Sequence, residues 1–211
     1  MCRRSRAAVV LAVALSAGCP GRTEAPRFRA GGETGAPVPA GELNRARDAR
    51  AVIDSARELM RTDSNVALVT VDSAGQPRVR TVRSFLDPPD AARPERGLTV
   101  WIMTRLSTRK VEQMRRHPRV TLYFNDDARL SYATIMGVAV VHTDPEHPGA
   151  KRHWDVRDPG DTTSAYARFF WPDFPRDFVM IEVRPRWLEF MGPGVPNDRR
   201  TWRPQAVEFT P

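Results

Sequence analysis

Leu98-Thr99-Val100-Trp101-Ile102-Met103-Thr104-Arg105-Leu106-Ser107-Thr108-Arg109-Lys110 is the stretch that decides how this chain folds. Its first half, Leu98 to Met103, is an apolar run rich in β-branched and aromatic residues and reads as a buried strand. Its second half leads into a helical run from Val111 to Arg116. Ser107 or Thr108 is placed to cap that helix, because a hydroxyl accepts a hydrogen bond from an otherwise unpaired amide of the first turn. A strand that delivers hydroxyls and two cations to a helix N-terminus suits an anion. The free amides and the positive end of the helix dipole favour negative charge, and Arg109 can make a forked contact with a phosphate. The chain has 33 Lys+Arg, of which only Lys110 and Lys151 are lysine. A lysine inside this motif therefore suggests a site that wants a compact point charge. On their own, the same residues also describe a capped surface helix with a solvated basic first turn.

Working outward toward the N-terminus, Glu42 to Arg61 turns helical, with Leu43, Ala46, Val52, Ile53, Ala56, Leu59 and Met60 forming an apolar face. Asn65 to Val71 reads as a strand, Asp72-Ser73-Ala74-Gly75 as a hairpin turn and Pro77 to Phe85 as the return strand. Asp87 to Gly97 is a loop. On the other side, His117-Pro118 ends the motif helix, since the residue before proline disfavours helical geometry. Val120 to Phe124 is a short strand, Asn125-Asp126-Asp127 a turn, and Leu130 to His142 a longer strand in which Gly137 marks a bulge or a close backbone approach. Pro145 to Trp154 and Thr162 to Phe170 read as helices. Phe178 to Val183 and Trp187 to Met191 read as two strands split by Pro185, and the tail from Trp202 to Phe209 holds one short strand at most. Many short antiparallel strands with a few helices define an α+β protein built on a small barrel.

The 211 residues suffice for one domain of ordinary core size. A net charge of +8 could indicate nucleic acid or an anionic surface, but the arginines are scattered among Asp and Glu and form no stripe, which argues against nucleic acid. The N-terminus reads as a leader. Arg3-Arg4-Ser5-Arg6 is a basic start and Ala7 to Ala17 an apolar run too short to span a bilayer comfortably. Ser16-Ala17-Gly18-Cys19 resembles the lipobox of bacterial lipoproteins, with Leu15 one place earlier than the commonest pattern. Cleavage before Cys19 would leave that residue as the lipid-carrying N-terminus, a membrane anchor on the periplasmic or cell-surface side. The alternative is an ordinary secretory signal cut nearby. The division expected is a signal peptide over 1–18, a flexible tether over 19–41 rich in Gly, Pro and charge, and a domain over 42–211. Without Cys2 and with Cys19 lipidated, that domain holds no cysteine, which excludes disulfides and thiol catalysis.

The order of pieces resembles a known family. Gly75-Gln76-Pro77-Arg78-Val79-Arg80-Thr81-Val82 leads to the strand from Leu98 to Thr104, then to Ser107-Thr108-Arg109-Lys110, His117-Pro118-Arg119-Val120 and Gly137-Val138-Ala139. This is similar to the FMN-binding split β-barrel family, which includes pyridoxamine 5′-phosphate oxidase and its general-stress relatives, over about residues 43 to 191. The resemblance implies a six- to seven-stranded antiparallel split β-barrel and a homodimer with FMN at its interface. It places Arg80, Thr108, Arg109 and Lys110 at the FMN phosphate, the backbone of Thr81 and Val82 along the flavin ring, and Met103 and Thr104 at the strand end beside the ring. It also shows departures. Phe85 stands where the oxidase pattern has a lysine, and Gly192 to Arg200 does not reproduce the oxidase's substrate-binding tail, which argues against vitamin B6 oxidation.

Weaker constellations complete the reading. His142, Asp144, Glu146, His147 and His153 are not spaced as a metal site, since no two histidines lie one helical turn apart on one helix. Trp101, Trp154, Trp171, Trp187 and Trp202 read as core or interface anchors. No residue stands out as a dedicated acid or base. The expectation is an exported FMN-dependent oxidoreductase of unknown substrate. The alternatives are a non-catalytic module binding flavin or another small ligand, and a flavin-free barrel kept for its dimer surface.

Overall fold

The computed structural model describes residues 46, 48–157, 173, 176–195 and 203–210, all within one unit, Val38–Pro211. The leader, the tether, Leu43, the expected helix from Thr162 to Phe170, Trp171 and Trp202 lie outside the described residues.

Helix α1 (Ala49–Thr62) opens at Asp48, whose carboxylate accepts a hydrogen bond from the Ala51 amide at 3.0 Å. This cap puts the helix start later than the sequence pattern suggested, with Ala46 outside it. Val52, Ile53, Ala56, Leu59 and Met60 are buried on one face. Strands β1 (Asn65–Val71) and β2 (Pro77–Arg83) form the expected hairpin in continuous register from Asn65 opposite Arg83 to Val71 opposite Pro77. The return strand breaks at Ser84, whose amide bonds the Ser64 carbonyl at 2.8 Å. A two-residue strand β3 (Phe85–Leu86) then pairs with β4 (Val100–Arg105). Helix α2 (Arg109–Arg116) follows, then β5 (Arg119–Asp126), β6 (Ser131–His142), helix α3 (Pro148–Arg157), β7 (Phe178–Met191) and β8 (Gln205–Glu208).

Seven strands run in the order β2-β1-β5-β6-β7-β4-β3, with β8 added beside β7. All the pairings are antiparallel. Because β2 and β3 lie at opposite ends of this order yet adjoin in sequence, the chain around Ser84 carries one edge of the sheet to the other. This makes a split barrel, as expected, with an eighth strand beyond the six or seven anticipated. Val66, Leu68, Ile102, Leu122, Phe124, Ile135, Ile181, Val183 and Leu188 fill its interior with almost no exposure. Burial of each such side chain stabilises the fold by about 1.5–3 kcal/mol.

One expectation needs correction. Pro185 does not split β7, which is continuous for 14 residues. Val183 and the residues before it pair with β4, while Trp187 and those after it pair with β8. Pro185 falls in the gap between these two neighbours, where its missing N–H breaks no ladder. Opposite it sits Gly137, at a register shift where consecutive Met136 and Gly137 of β6 face Trp187 and Pro185, so the bulge marked by Gly137 leaves Arg186 of β7 as the extra residue. A Cβ at Gly137 would lie 2.4 Å from the Arg184 carbonyl oxygen, so only glycine lets the strands approach this closely.

Candidate anion site

The motif helix α2 lies over one end of the barrel, with Val111 and Met114 buried. Its N-terminus meets the hairpin strand β2, and the two border a cleft of about 790 Å³ lined by Asp72, Arg78, Val79, Arg80, Ser107, Thr108, Arg109, Lys110, Glu112, Gln113 and Arg116. Arg80, Thr108, Arg109 and Lys110, the four residues assigned to a phosphate, thus share one cavity although the chain separates them by up to 30 positions.

The charges in this cleft divide into two groups. At the rim, Arg78 pairs with Asp72 at 2.7 Å and Arg116 with Glu112 at 2.7 Å. Among the described residues, Arg80, Arg109 and Lys110 meet no carboxylate. Burial, followed by the charges of Arg109 and Arg78, pushes the Arg80 guanidinium below its ordinary value. Burial, followed by the charge of Arg80, lowers the Lys110 ammonium. Both shifts reflect unneutralised positive charge held partly out of water, a condition that an anion relieves.

Thr108 occupies the cap position without capping. Its hydroxyl donates to the Arg105 carbonyl at 2.9 Å, and no side chain caps the first turn. The sequence expectation of a hydroxyl cap is therefore wrong, and the reason is local. The last strand residue turns its carbonyl toward Thr108 and the side chain points to it, so the hydroxyl oxygen, which would accept in a cap, is not presented to the first-turn amides. The Val111 N–H bonds the Thr108 carbonyl at 3.0 Å, so among the described residues the Arg109 and Lys110 amides are the ones left for another acceptor.

The residues assigned to a flavin ring are arranged differently. Val82 and Thr104 are buried, Thr81 is exposed on the opposite face of the same strand, and Met103 is half-buried outside the barrel. Consecutive strand residues face opposite ways, so these four side chains do not share one surface, while the assignment of Thr81 and Val82 concerns their backbone.

Met103 belongs to a second cluster that sequence reasoning missed. Trp101, Ala150, Phe178 and Met180 are buried together, with Phe85 and Met103 packed against them. Three of the four histidines surround the Trp101 ring, with His142, His147 and His153 at centroid distances of 5.5–5.9 Å, and His142 and His147 stack at 4.1 Å. His142 Nε2 lies 2.9 Å from Glu182, and His153 Nε2 lies 3.4 Å from Asp87. Burial alone would raise the Asp87 carboxyl, but hydrogen-bonding attraction to His153 and Trp101 and the charge of Arg152 outweigh it and hold the group below its ordinary value. Neither the His153 nor the Trp101 nitrogen reaches an aligned hydrogen bond. Among the described residues no three groups are placed to hold a metal ion. Phe85, at the position of the expected lysine, lies with its ring tilted 38° to that of His153 at a centroid distance of 5.8 Å and so belongs to this cluster rather than to the anion cleft.

A family model described as pyridoxamine 5′-phosphate oxidase matches residues 52–192. The chain belongs to this family. Among solved structures, a protein related to general stress protein 26 from Clostridium acetobutylicum is 18% identical and aligns over 77% of this chain and 96% of its own, with a TM-score of 0.54. A putative pyridoxamine 5′-phosphate oxidase from Listeria innocua is 19% identical over 66% and 98%, with a TM-score of 0.51. A heme binding protein from Mycobacterium smegmatis is 16% identical over 74% of this chain and 57% of that one, with a TM-score of 0.52. At these identities the likeness is one of fold. No curated protein matches the chain.

Proposed function

We propose that this member of the pyridoxamine 5′-phosphate oxidase family is an FMN-binding oxidoreductase of unknown substrate. The observation that carries the reading is the trio Arg80, Arg109 and Lys110, which meets no carboxylate among the described residues and is set at a helix N-terminus without a side-chain cap in one cleft. Such a set fits the dianionic phosphate monoester of FMN. Lys110 supplies a point charge, Arg109 a fork of donors, and the Arg109 and Lys110 amides at the start of α2 complete the shell. Thr108 can donate to the phosphate only by releasing Arg105. Bound FMN would supply one- or two-electron transfer, and the protein's part is to hold the phosphate and shape the ring's surroundings.

The reading calls for a homodimer with the flavin at its interface, as the family resemblance implies. The outer face of the sheet offers a surface for it. Val79, Val69, Thr121, Met136 and Trp187 stand in one row across five strands, from β2 to β7. Val79 is 66% exposed and Met136 40%, and beside this row Tyr123 is 40% exposed. Large apolar side chains gathered on a sheet face mark an interaction surface. The leader read over 1–18, the tether over 19–41 and lipid at Cys19 extend the proposal to an exported, membrane-anchored protein.

The test is an absorbance spectrum of the purified protein after incubation with excess FMN and removal of the unbound flavin. Retained flavin, lost in Arg80→Ala, and bleaching by a reduced nicotinamide cofactor followed by recolouring in air, support an oxidoreductase. Retained flavin that no reductant bleaches favours a carrier or binding module. A folded protein that retains no flavin refutes the FMN reading.

A further inference from the structure

The cleft arginines are anchored in two chemically different ways. Arg78 and Arg116, at the rim, are held by carboxylates. Arg80 is held by neutral groups: its Nη1 donates to Thr70 Oγ1 at 2.7 Å and its Nη2 to Gln113 Oε1 at 3.1 Å. The triangle closes between the two acceptors, with Thr70 Oγ1 donating to Gln113 Oε1 at 2.6 Å.

Valence fixes the direction of each bond. A guanidinium only donates, so Thr70 accepts from Arg80 and has its single proton left for Gln113. Gln113 faces two donors and must present its oxygen to both, which sets the amide orientation. Thr70 is fully buried, so its hydroxyl finds no water to compete with this arrangement. The three residues come from β1, β2 and α2, and the network ties the hairpin to the helix whose N-terminus opens the cleft.

We propose that Thr70 and Gln113 are positioning residues that aim the Arg80 guanidinium into the anion cleft while leaving its charge intact. The inference rests on the phosphate reading above. A carboxylate in place of Gln113 would make equally good hydrogen bonds, but it would neutralise Arg80 and repel a dianion. A neutral amide and a hydroxyl hold the side chain in one geometry, with unused N–H donors and a full positive charge available to ligand. The selectivity expected is for the phosphate end of the ligand and not for its ring.

Gln113→Glu separates positioning from simple structural support, because the two effects have opposite signs. At pH 8 the new carboxylate accepts both hydrogen bonds and gains an ion pair, so the melting temperature of the ligand-free protein stays level or rises. Affinity for FMN falls roughly tenfold or more, while affinity for riboflavin, which lacks the phosphate, is unchanged. Thr70→Val, which removes one anchor without adding charge, weakens FMN binding by a smaller factor with the same indifference to riboflavin. Inorganic phosphate supplies a probe independent of flavin. It raises the melting temperature of the unsubstituted protein, and Gln113→Glu abolishes that rise. If Gln113→Glu binds FMN as tightly as the unsubstituted protein, or loses riboflavin equally, the positioning inference is overturned and the FMN reading stands. If FMN does not bind but phosphate stabilises the protein and Gln113→Glu removes the effect, the FMN reading fails and the positioning inference holds. If neither FMN nor phosphate binds, both fall.

Discussion

Replacing Lys110 by methionine should make the ligand-free protein more stable and the liganded protein weaker. Lys110 sits in the first turn of α2, half-buried, with Arg80 as its charged neighbour and no carboxylate partner among the described residues. Burial and then Arg80 depress its pKa below the ordinary 10.5. For a lysine so depressed, the charged form is less favourable in the folded state than in the unfolded one. Below the folded value the residue costs stability, and this cost disappears as pH rises from the folded value toward 10.5. Methionine keeps the aliphatic length without the charge, and at pH 7 should stabilise the empty protein by up to about 1 kcal/mol, the scale of a partly solvated charge interaction. For a chain of this size that is an increase of roughly 2–4 °C in melting temperature. The ligand sees the opposite sign. A charge-assisted hydrogen bond to phosphate contributes about 1.5–3 kcal/mol, so FMN affinity should fall roughly 10- to 150-fold. Thermal melts with and without FMN, together with flavin fluorescence titrations from pH 7 up to 10.5, measure both. The unsubstituted protein should lose FMN affinity faster than Lys110→Met does as pH rises toward 10.5. A variant that melts lower when empty and binds FMN unchanged would refute this account of the cleft.

Three further outcomes follow from the packing. Gly137→Ala should lower stability by about 2–3 kcal/mol, since its Cβ would meet the Arg184 carbonyl oxygen at 2.4 Å and Val183 Cγ1 at 3.0 Å; the melt should drop by roughly 4–12 °C, and an unchanged melt would contradict the bulge geometry. Acid should weaken the His–Trp cluster. Burial raises the Asp87 and Glu182 carboxyls, but their partners, His153, Trp101 and Arg152 for the first, Arg184 and His142 for the second, more than offset it and leave both below their ordinary 3.8 and 4.5. Their contribution is complete above those values and is lost as pH falls below them. Asp87→Asn with Glu182→Gln should therefore flatten the acid limb of a stability-versus-pH curve. Met136→Glu, in the exposed apolar row, should leave the melt of the monomer near that of the parent and shift sedimentation from dimer to monomer; a parent protein that is already monomeric at micromolar concentration would remove the basis of the dimer proposal.

Much of this protein is decided by local chemistry and can be read directly from the chain. The apolar stripe from Val52 to Met60, the hairpin around Asp72–Gly75, the strand-to-helix passage from Leu98 to Lys110 and the stop at His117-Pro118 each depend on neighbours a few residues away. Periodicity and backbone preferences fix these. Arg80, Arg109 and Lys110 could be assigned to one site because a hairpin strand and a helix start in this order resemble a known family. What the sequence left open depends on contacts between distant residues. Pro185 breaks a strand in a local reading, and only the arrangement of β4 and β8 on its free side makes it harmless. Thr108 looks like a cap until its side chain is seen turned to the Arg105 carbonyl and away from the first-turn amides. Thr70 is an ordinary strand threonine and Gln113 an ordinary helix glutamine, 43 positions apart. Only the packing of α2 over the barrel end makes them the neutral anchor of Arg80. The same holds for His142, His147 and His153, whose spacing suggests little and which converge because β4, β6 and α3 surround one tryptophan. Side-chain hydrogen bonds and ring contacts reach only a few ångströms, and which residues come within that reach is set by the register of the sheet.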